Sequence, residues 1–454
     1  MEGVTEQRRS QRILILGGGH VGMYTAIQLL RRRRSGHGRP HREVCLVEPR
    51  SYMTYQPFLP EAAAGSISPR HVVVPLRRIV PDARIVAGRV VAADPERRTA
   101  TVATLATSED GAEPVELDYD ALVVAPGSVS RTLPVPGLAR HGIGFKNIEE
   151  AIGLRNHILE QLDAAASTRD PAVREAALTF VFVGGGYAGV EALAELEDMT
   201  RHAAKYHNTL TLDDLHWVLV DSGDRILPEA PAPLAAHAME QLRRRNVDIR
   251  LATRLASAQA DRVTLSDGAV LPTRTLVWTA GVRPHPVLAD LGLKLDEHGR
   301  LPVAPTLQVD GHDEVFAAGD CAAVPDLTGT DGRLCAPNAQ HALRQARTLA
   351  DNITALLDGR PGDLAPYAHR NHGSVTSLGL HKGVAQIRGV RIKGYPAWLA
   401  HRANHLAHMP TANRKTRILT EWILSGLFKR ETVSLGTLTS VRAQPVDPPT
   451  RSAG

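Results

Sequence analysis

The sequence predicts an α/β protein built around two copies of one unit: a short buried strand, a glycine turn and a helix. Three observations carry that prediction. Ile13-Leu-Ile-Leu16 runs into Gly17-Gly-Gly19-His-Val-Gly22 and then a helical segment from Met23 to Leu30. Leu178-Thr-Phe-Val-Phe-Val183 runs into Gly184-Gly-Gly186-Tyr-Ala-Gly189 and a second helix. Each copy is followed by an apolar strand ending in an acid, Val44-Cys-Leu-Val-Glu48 and His216-Trp-Val-Leu-Val-Asp221.

Each glycine of G-x-G-x-x-G has its own task. The first permits the tight turn, the second lets backbone approach a pyrophosphate, and the third lets the helix pack close to the sheet. The phosphates then rest on free N–H groups at the positive helix end. The strand-end carboxylate accepts hydrogen bonds from the ribose hydroxyls. One such turn is a common structural feature, but two, each with its acid, specify two Rossmann-like dinucleotide-binding domains. Glu48 lies farther from Gly17 than the roughly 20 positions usual for this motif. An Arg-, Gly-, His- and Pro-rich insertion at residues 34–42 accounts for the difference. An acid at 221 favours NADH, because a 2′-phosphate would be repelled; Arg225 close by tempers that preference.

The segments between follow in order. Residues 51–75 read as a Pro-rich loop, and residues 84–117 as short strands. Val/Thr alternation around 99–105 marks an antiparallel excursion. Ala121-Leu-Val-Val-Ala-Pro-Gly-Ser128 is another buried strand with a small-residue turn, and residues 148–166 form a helix. Beyond the second copy come Leu276-Val-Trp-Thr-Ala-Gly281 and Val315-Phe-Ala-Ala-Gly-Asp320. The carboxylate in this Gly-Asp turn is suited to accept from a ribityl hydroxyl. A helix then runs to about Leu357, with Pro337 in its first turn. Its N-terminus is suited to stabilise negative charge on a reduced flavin ring.

Composition narrows the function classes. A chain of 454 residues exceeds one core, and 43% hydrophobic with 22% charged residues is ordinary for a globular protein. The net charge of +5 is modest, and 4% aromatic residues do not make a nucleic-acid-binding face. The basic run at 31–34 reads as a solvated helix C-terminus. Cys45, Cys321 and Cys335 form no C-x-x-C pair and no metal spacing, which fits a reducing compartment. Residues 1–11 are charged and lack the apolar core of a signal peptide. No apolar run approaches the roughly 18 residues needed to span a bilayer.

The order of these motifs resembles the flavoprotein reductases with two dinucleotide-binding domains. Within them it is most similar to the type II NADH dehydrogenases, single-subunit NADH:quinone oxidoreductases. Tyr55-Gln-Pro-Phe-Leu-Pro-Glu61 resembles their segment beside the flavin, and Phe145-Lys-Asn-Ile-Glu-Glu-Ala151 their entry into the NADH domain. Pro337–Gln345 resembles their quinone-side A-Q-x-A-x-Q motif, and Trp398-Leu…His405-Leu their membrane-docking region. The match runs over roughly residues 11–435.

The resemblance implies non-covalent FAD at Gly17, Gly19, Gly22, Glu48 and Asp320, and NADH at Gly184, Gly186, Gly189 and Asp221. It implies a discontinuous FAD domain (residues 11–148 and 282–370) interrupted by an NADH domain (149–281). A C-terminal quinone-side region of α/β character with amphipathic helices (371–435) and a disordered tail (436–454) complete the chain. Glu191 would lie near the nicotinamide–flavin junction, and Lys382 near flavin and quinone. Gln340 and Gln345 would contact the quinone. Here, however, Arg344 stands where the family has its second Gln, and Gln345 comes one position later, a turn of about 100° on a helix.

Residues 396–409 and 413–430 read as two helices. In the second, Ile418, Leu419, Trp422, Ile423, Gly426 and Leu427 recur at helical spacing. Arg414, Lys415 and Arg417 begin it, and Lys429 and Arg430 end it. That pattern suits a helix lying on an anionic leaflet, or one covered in a domain or homodimer interface. His401, His405 and His408 share a face that reads as solvated. The implied place is the cytoplasmic side of the cell membrane, held peripherally. No cysteine pair lies near residues 51–65 and no cysteine in 128–183, which argues against dithiol reductases and sulfide:quinone reductases. A reductase for a soluble electron carrier, or a redox sensor without turnover, remains as the alternative.

Overall fold

A computed structural model describes residues 10–35, 41–105, 113–131, 133–329, 332–370, 373–428, 430 and 432–434. The tail expectation for 436–454 lies outside the described residues. The first strand, Gln11–Leu16, has its last four side chains completely buried, and it pairs in parallel with Arg42–Glu48 and Ala121–Val124. Val315–Ala317 then joins in parallel beside Ala121–Val124, so a late segment returns to the opening sheet. Burial on both faces explains why these strands are continuous apolar runs rather than alternating ones. The far side of this seven-stranded sheet extends through Arg84–Asp94, Thr99–Thr104 and Val115–Asp118, the last three antiparallel as the Val/Thr alternation predicts.

The second copy builds its own parallel sheet. Thr179–Val183 lies at its centre between Thr275–Trp278 and His216–Val220, flanked by Gly142–Gly144 and Val247–Arg250. The chain thus joins the second sheet at Gly142, a few residues ahead of the boundary drawn at 148. One face is covered by a small antiparallel sheet, Leu255–Ala258, Arg262–Leu265 and Val270–Pro272, through a separate apolar cluster with Val181, Val183 and Trp278.

Several elements depart from the sequence reading. Residues 51–75 are not an open loop: Tyr52–Thr54 pairs with Val73–Pro75, and Leu59–Ala63 forms a fully buried helical turn. The helix expected from Pro337 starts at Ala339, because Asn338 caps it by accepting from the His341 N–H; Pro337 precedes the cap. The C-terminal region is a three-stranded antiparallel sheet (Gly373–Ser377, Gly383–Ile387, Val390–Lys393) followed by helices Tyr395–His408 and Ala412–Phe428. Among the described residues, no helix is long and apolar enough to cross a membrane.

Candidate active site

The two glycine turns share the same steric plan. Gly17 and Gly184 adopt positive φ (109° and 119°), and a Cβ on Gly22 or Gly189 would lie 1.8 or 1.9 Å from the carbonyl oxygen of the first glycine. Only glycine fits these positions. Around Gly19 and Gly186, by contrast, a Cβ would meet nothing within 4 Å. That open space at the middle glycine leaves room for a pyrophosphate to approach the backbone. The helices that follow, His20–Ser35 and Tyr187–Ala204, have no acidic residue in the first turn, and Gly186 supplies no capping side chain. The neighbouring helix Ile148–Ser167 makes the contrast, since Asn147 and Glu150 close a full capping box on it. Two helix ends are therefore left with free N–H groups suited to anionic ligands.

Each strand-end acid is held by the N–H that follows the first glycine of its turn. A Glu48 carboxylate oxygen accepts from the Gly18 N–H at 2.7 Å, and an Asp221 oxygen from the Gly185 N–H at 2.5 Å. Burial raises the pKa of Glu48, opposed by the backbone N–H groups of Gly18 and Arg50. Asp221 also accepts from the Gly223 N–H at 2.7 Å. Thr279 braces the second turn by donating to the Gly184 carbonyl at 3.1 Å.

Asp320 follows Gly319, whose φ is 77°. It accepts from the Ser128 hydroxyl, and the Lys146 ammonium lies 3.7 Å away. Burial lowers the pKa of Lys146 and Asp320 opposes it. Lys146 and Ser128 are members of this site that sequence reasoning did not select. The signal was only their place in the Ala-Pro-Gly-Ser and Phe-Lys-Asn segments.

A cavity of about 240 Å³ opens between the first unit, helix Ala339–Leu357 and the C-terminal region. Its walls are His20, Tyr24 and Tyr55 from the first unit, Gln340, Leu343 and Arg344 from helix Ala339–Leu357, Val375 and Gln386 from the C-terminal sheet, and His405 from helix Tyr395–His408. Gln340, Leu343 and Arg344 share one helical face. Gln345 does not: it is 2% exposed, and its side-chain oxygen accepts from the Gly319 N–H at 2.8 Å. The quinone contact expected of Gln345 is thus corrected. One residue of rotation turns it inward, where it holds the Gly-Asp turn, and Arg344 takes the cavity position. An adjoining cleft, lined by Arg225, Arg370 and Arg388, shares Ser374, Gln386 and Arg388 with the cavity and leads to the loop after Asp221.

Glu191 and Lys382 are not brought together with Gln340. The side chain of Lys382 lines neither of these two spaces, and its backbone closes a turn with Leu378 and Gly379. Glu191 sits behind the cavity, accepting from the Ser377 N–H at 3.0 Å, with His401 Nε2 at 3.2 Å. His401 is 1% exposed and half-buried His405 lines the cavity, so the solvated face expected of these histidines is corrected for His401 and holds only at His408, which is exposed. The helix carrying them packs on the C-terminal sheet and on the first unit, where Tyr55 donates to the His405 carbonyl.

Those histidines belong to a buried charge cluster that no sequence pattern announced. Arg402 donates to Glu61 at 3.0 Å, and its guanidinium lies 4.0 Å from the Trp398 ring centre and 4.6 Å from that of Trp422. Trp422 also donates to Glu61. Arg430 donates to Glu195 at 2.9 Å, and Ser377 donates to the same carboxylate. Arg430 therefore serves this cluster and is not a basic end for a membrane helix. Burial raises the pKa of Glu61 against the pull of Arg402. Burial acts the same way on Glu195, but Arg430, Arg402 and Ser377 outweigh it and hold its carboxyl low.

Helix Ala412–Phe428 divides its apolar stripe. Ile418 is buried and Trp422 half-buried, while Leu419, Ile423, Leu427 and Phe428 are 48–77% exposed.

Comparison with known proteins agrees with this geometry. The pyridine nucleotide-disulphide oxidoreductase family matches residues 11–346. The chain is similar to the type II NADH:quinone oxidoreductase Ndh of Mycobacterium tuberculosis, 28% identical over 442 residues, covering 94% of this chain and 91% of the relative. It is also similar to the demethylphylloquinone reductase NdbB of a Synechocystis strain, 29% identical over 419 residues, covering 91% and 95%. In fold it matches NDH2 from Plasmodium falciparum in complex with NADH, at TM-score 0.84, 16% identity, and 94% and 100% coverage. The sulfide:quinone oxidoreductase of Aquifex aeolicus matches at TM-score 0.70, 17% identity, and 93% and 96% coverage.

Proposed function

The chain belongs to the pyridine nucleotide-disulphide oxidoreductase family, and on that premise we propose that it is an FAD-dependent, non-electrogenic NADH:quinone oxidoreductase of the type II kind. The single observation that carries the reading is the doubled glycine turn, one copy beside the Gly319-Asp320 turn, the other beside Asp221. Residues 11–148 and 282–370 hold FAD, and residues 149–281 hold NADH. The open cradle at Gly19, the uncapped helix and the buried His20 Nε2, without a partner among the described residues, fit the flavin nucleotide.

When bound, FAD supplies the carrier that takes hydride from NADH and passes two electrons to quinone. The chain positions and shields. Gly17, Gly19 and Gly22 seat one pyrophosphate with Glu48 at its ribose, and Asp320, fixed by Ser128 and Gln345, orients the ribityl side. Gly184, Gly186, Gly189 and Asp221 would seat NADH, and the adjoining cleft connects the loop after Asp221 with the cavity. Gln340 and Arg344 face the quinone there. Cys45 and Cys321 are buried free thiols and Cys335 is half-buried, which leaves no dithiol relay among the described residues.

The protein works at a membrane surface, and among the described residues no helix is long and apolar enough to cross it. The exposed apolar residues of helix Ala412–Phe428 enter the interfacial layer, and Arg417 on the same helix meets anionic headgroups. The lipid-facing side is cytoplasmic, and a homodimer is compatible with it.

The test is anaerobic. NADH should bleach the yellow protein, and a short-chain quinone should restore the colour. Bleaching without recovery by quinone would point to a soluble electron carrier instead, and colourless protein to a nucleotide-binding sensor. For docking, Leu427→Asp together with Phe428→Asp should abolish binding to anionic vesicles; unchanged binding would sink that part.

A further inference from the structure

The walls of the cavity are unbalanced in charge. Two arginines line it, Arg344 on helix Ala339–Leu357 and Arg388 between strands Gly383–Ile387 and Val390–Lys393. Among the described residues, no Asp or Glu does. His20 and His405 line it as well, but burial lowers the pKa of both, His20 to about 4. They are therefore neutral near pH 7. Neither arginine forms an ion pair among the described residues.

We propose that the cavity selects quinones whose ring carries a carboxylate, with Arg344 as the residue that sets this preference. The inference rests on the NADH:quinone reading above and deepens it.

Arg344 stands one turn after Gln340 on the cavity side of its helix. One of its N–H groups donates to the Gln340 carbonyl at 2.9 Å, which holds the guanidinium against the wall. A guanidinium has five N–H donors, and the rest have no protein acceptor among the described residues. A neutral amide at this place would satisfy a quinone carbonyl. A half-buried guanidinium has lost hydration that an anion restores, and a carboxylate matches its fork through two parallel hydrogen bonds. The same wall begins at the first turn of a 19-residue helix, whose positive end adds to the field.

Arg388 reinforces the charge from the mouth. It and Gly389 have φ of 50° and 87°, a left-handed turn in which asparagine or glycine is the usual first residue. Its exposed side chain lines both the cavity and the cleft of Arg225 and Arg370, where positive charge draws an anion inward. The ring itself is met by other groups. Tyr24 and Tyr55 spend their hydroxyls on the His408 and His405 carbonyls, at 2.8 and 3.1 Å, and so offer apolar ring surface. Leu343 and Val375 extend that surface. Charge and ring are thus recognised by different walls. The overall reaction is unchanged: NADH, one proton and the quinone give NAD⁺ and the hydroquinone. The carboxylate is held and not transformed.

The test compares 1,4-naphthoquinone-2-carboxylate with its neutral 2-carboxamide, which matches it in size. After anaerobic bleaching by NADH, colour recovery by each acceptor is followed in stopped flow. Wild-type holoenzyme should prefer the carboxylate. In Arg344→Gln the ratio of second-order recovery rates, carboxylate over carboxamide, should fall roughly tenfold, as the loss of one charge-assisted hydrogen bond allows. The loss should lie in the half-saturating concentration and not in the limiting rate. Arg344→Lys, which keeps the charge, should retain the preference. Arg388→Gln should flatten the salt dependence of recovery by the carboxylate. Independently of turnover, wild-type holoprotein should bind 2-naphthoate more tightly than 2-naphthamide, read from the flavin absorption band. An unchanged ratio in Arg344→Gln, equal losses with both acceptors, or equal binding of the two naphthalene probes would overturn the selection. Bleached wild-type protein that neither acceptor reoxidises would overturn the quinone reading itself, a different result.

Discussion

Replacing Arg402 with Met leaves a side chain of similar length between Trp398 and Trp422 but removes the charge beside Glu61. Glu61 is 2% exposed and Arg402 7%, and they lie 3.0 Å apart. Breaking one side of such a buried pair costs about 3–5 kcal/mol, because the remaining charge is stranded without solvent. The loss of the guanidinium between two indoles adds about 0.5–2 kcal/mol. Trp422 still donates to Glu61, so the carboxylate keeps one hydrogen bond. The expected result is a loss of about 4 kcal/mol in the first unfolding transition of the FAD-loaded protein at pH 7. That loss should shrink as pH falls, since burial already raises the pKa of Glu61 and Arg402 was opposing the rise. Glu61→Gln in the Arg402→Met background should recover at least half of it, because no charge is then stranded. Urea unfolding of the four proteins of this cycle measures the coupling directly. A single-variant loss below about 1 kcal/mol, or a double variant no better than Arg402→Met, would refute the view that this pair clamps the C-terminal helices to the first unit.

Three further outcomes are expected. Gly186→Val should weaken NADH binding at least tenfold by equilibrium titration while leaving the flavin bound, since its Cβ meets no protein atom; equal loss of flavin would count against separate sites. Gln345→Ala should lower flavin retention on gel filtration by freeing the Gly319 N–H, whereas Gln340→Ala should raise the KM for quinone; exchanged effects would contradict their placement. Burial lowers the pKa of His20 from 6.5 to about 4. Its neutral form therefore contributes stability that is present above pH 6.5 and lost as pH falls toward 4. The loss is at most about 3 kcal/mol by linkage, and His20→Phe should show a flatter acid limb in urea unfolding.

Local chemistry made much of the fold legible before any coordinates. The glycine turns can be read because their requirement is steric and lies within six residues: a Cβ on Gly22 or Gly189 collides with its own turn. Glu48 and Asp221 can be read because each closes the strand beside its turn. The Val315–Ala317 strand and its Asp320 were legible as a motif, though pairing with Ala121–Val124 is a long-range fact.

Tertiary packing alone decided the rest. A helical face shows its polarity in sequence but not what covers it, so His401 and His405 read as solvated until the sheet Gly373–Ser377 and the turn Leu59–Ala63 closed over them. Glu61, Glu195, Arg402 and Arg430 are ordinary surface residue types, and only their convergence from distant segments, where desolvation makes each charge need its partner, turns them into a buried cluster. Gln345 shows the margin most plainly. The sequence determined that a glutamine stood near the end of the quinone-side motif, and one residue of helical rotation, fixed by packing, sent it to the Gly319 backbone and Arg344 to the cavity.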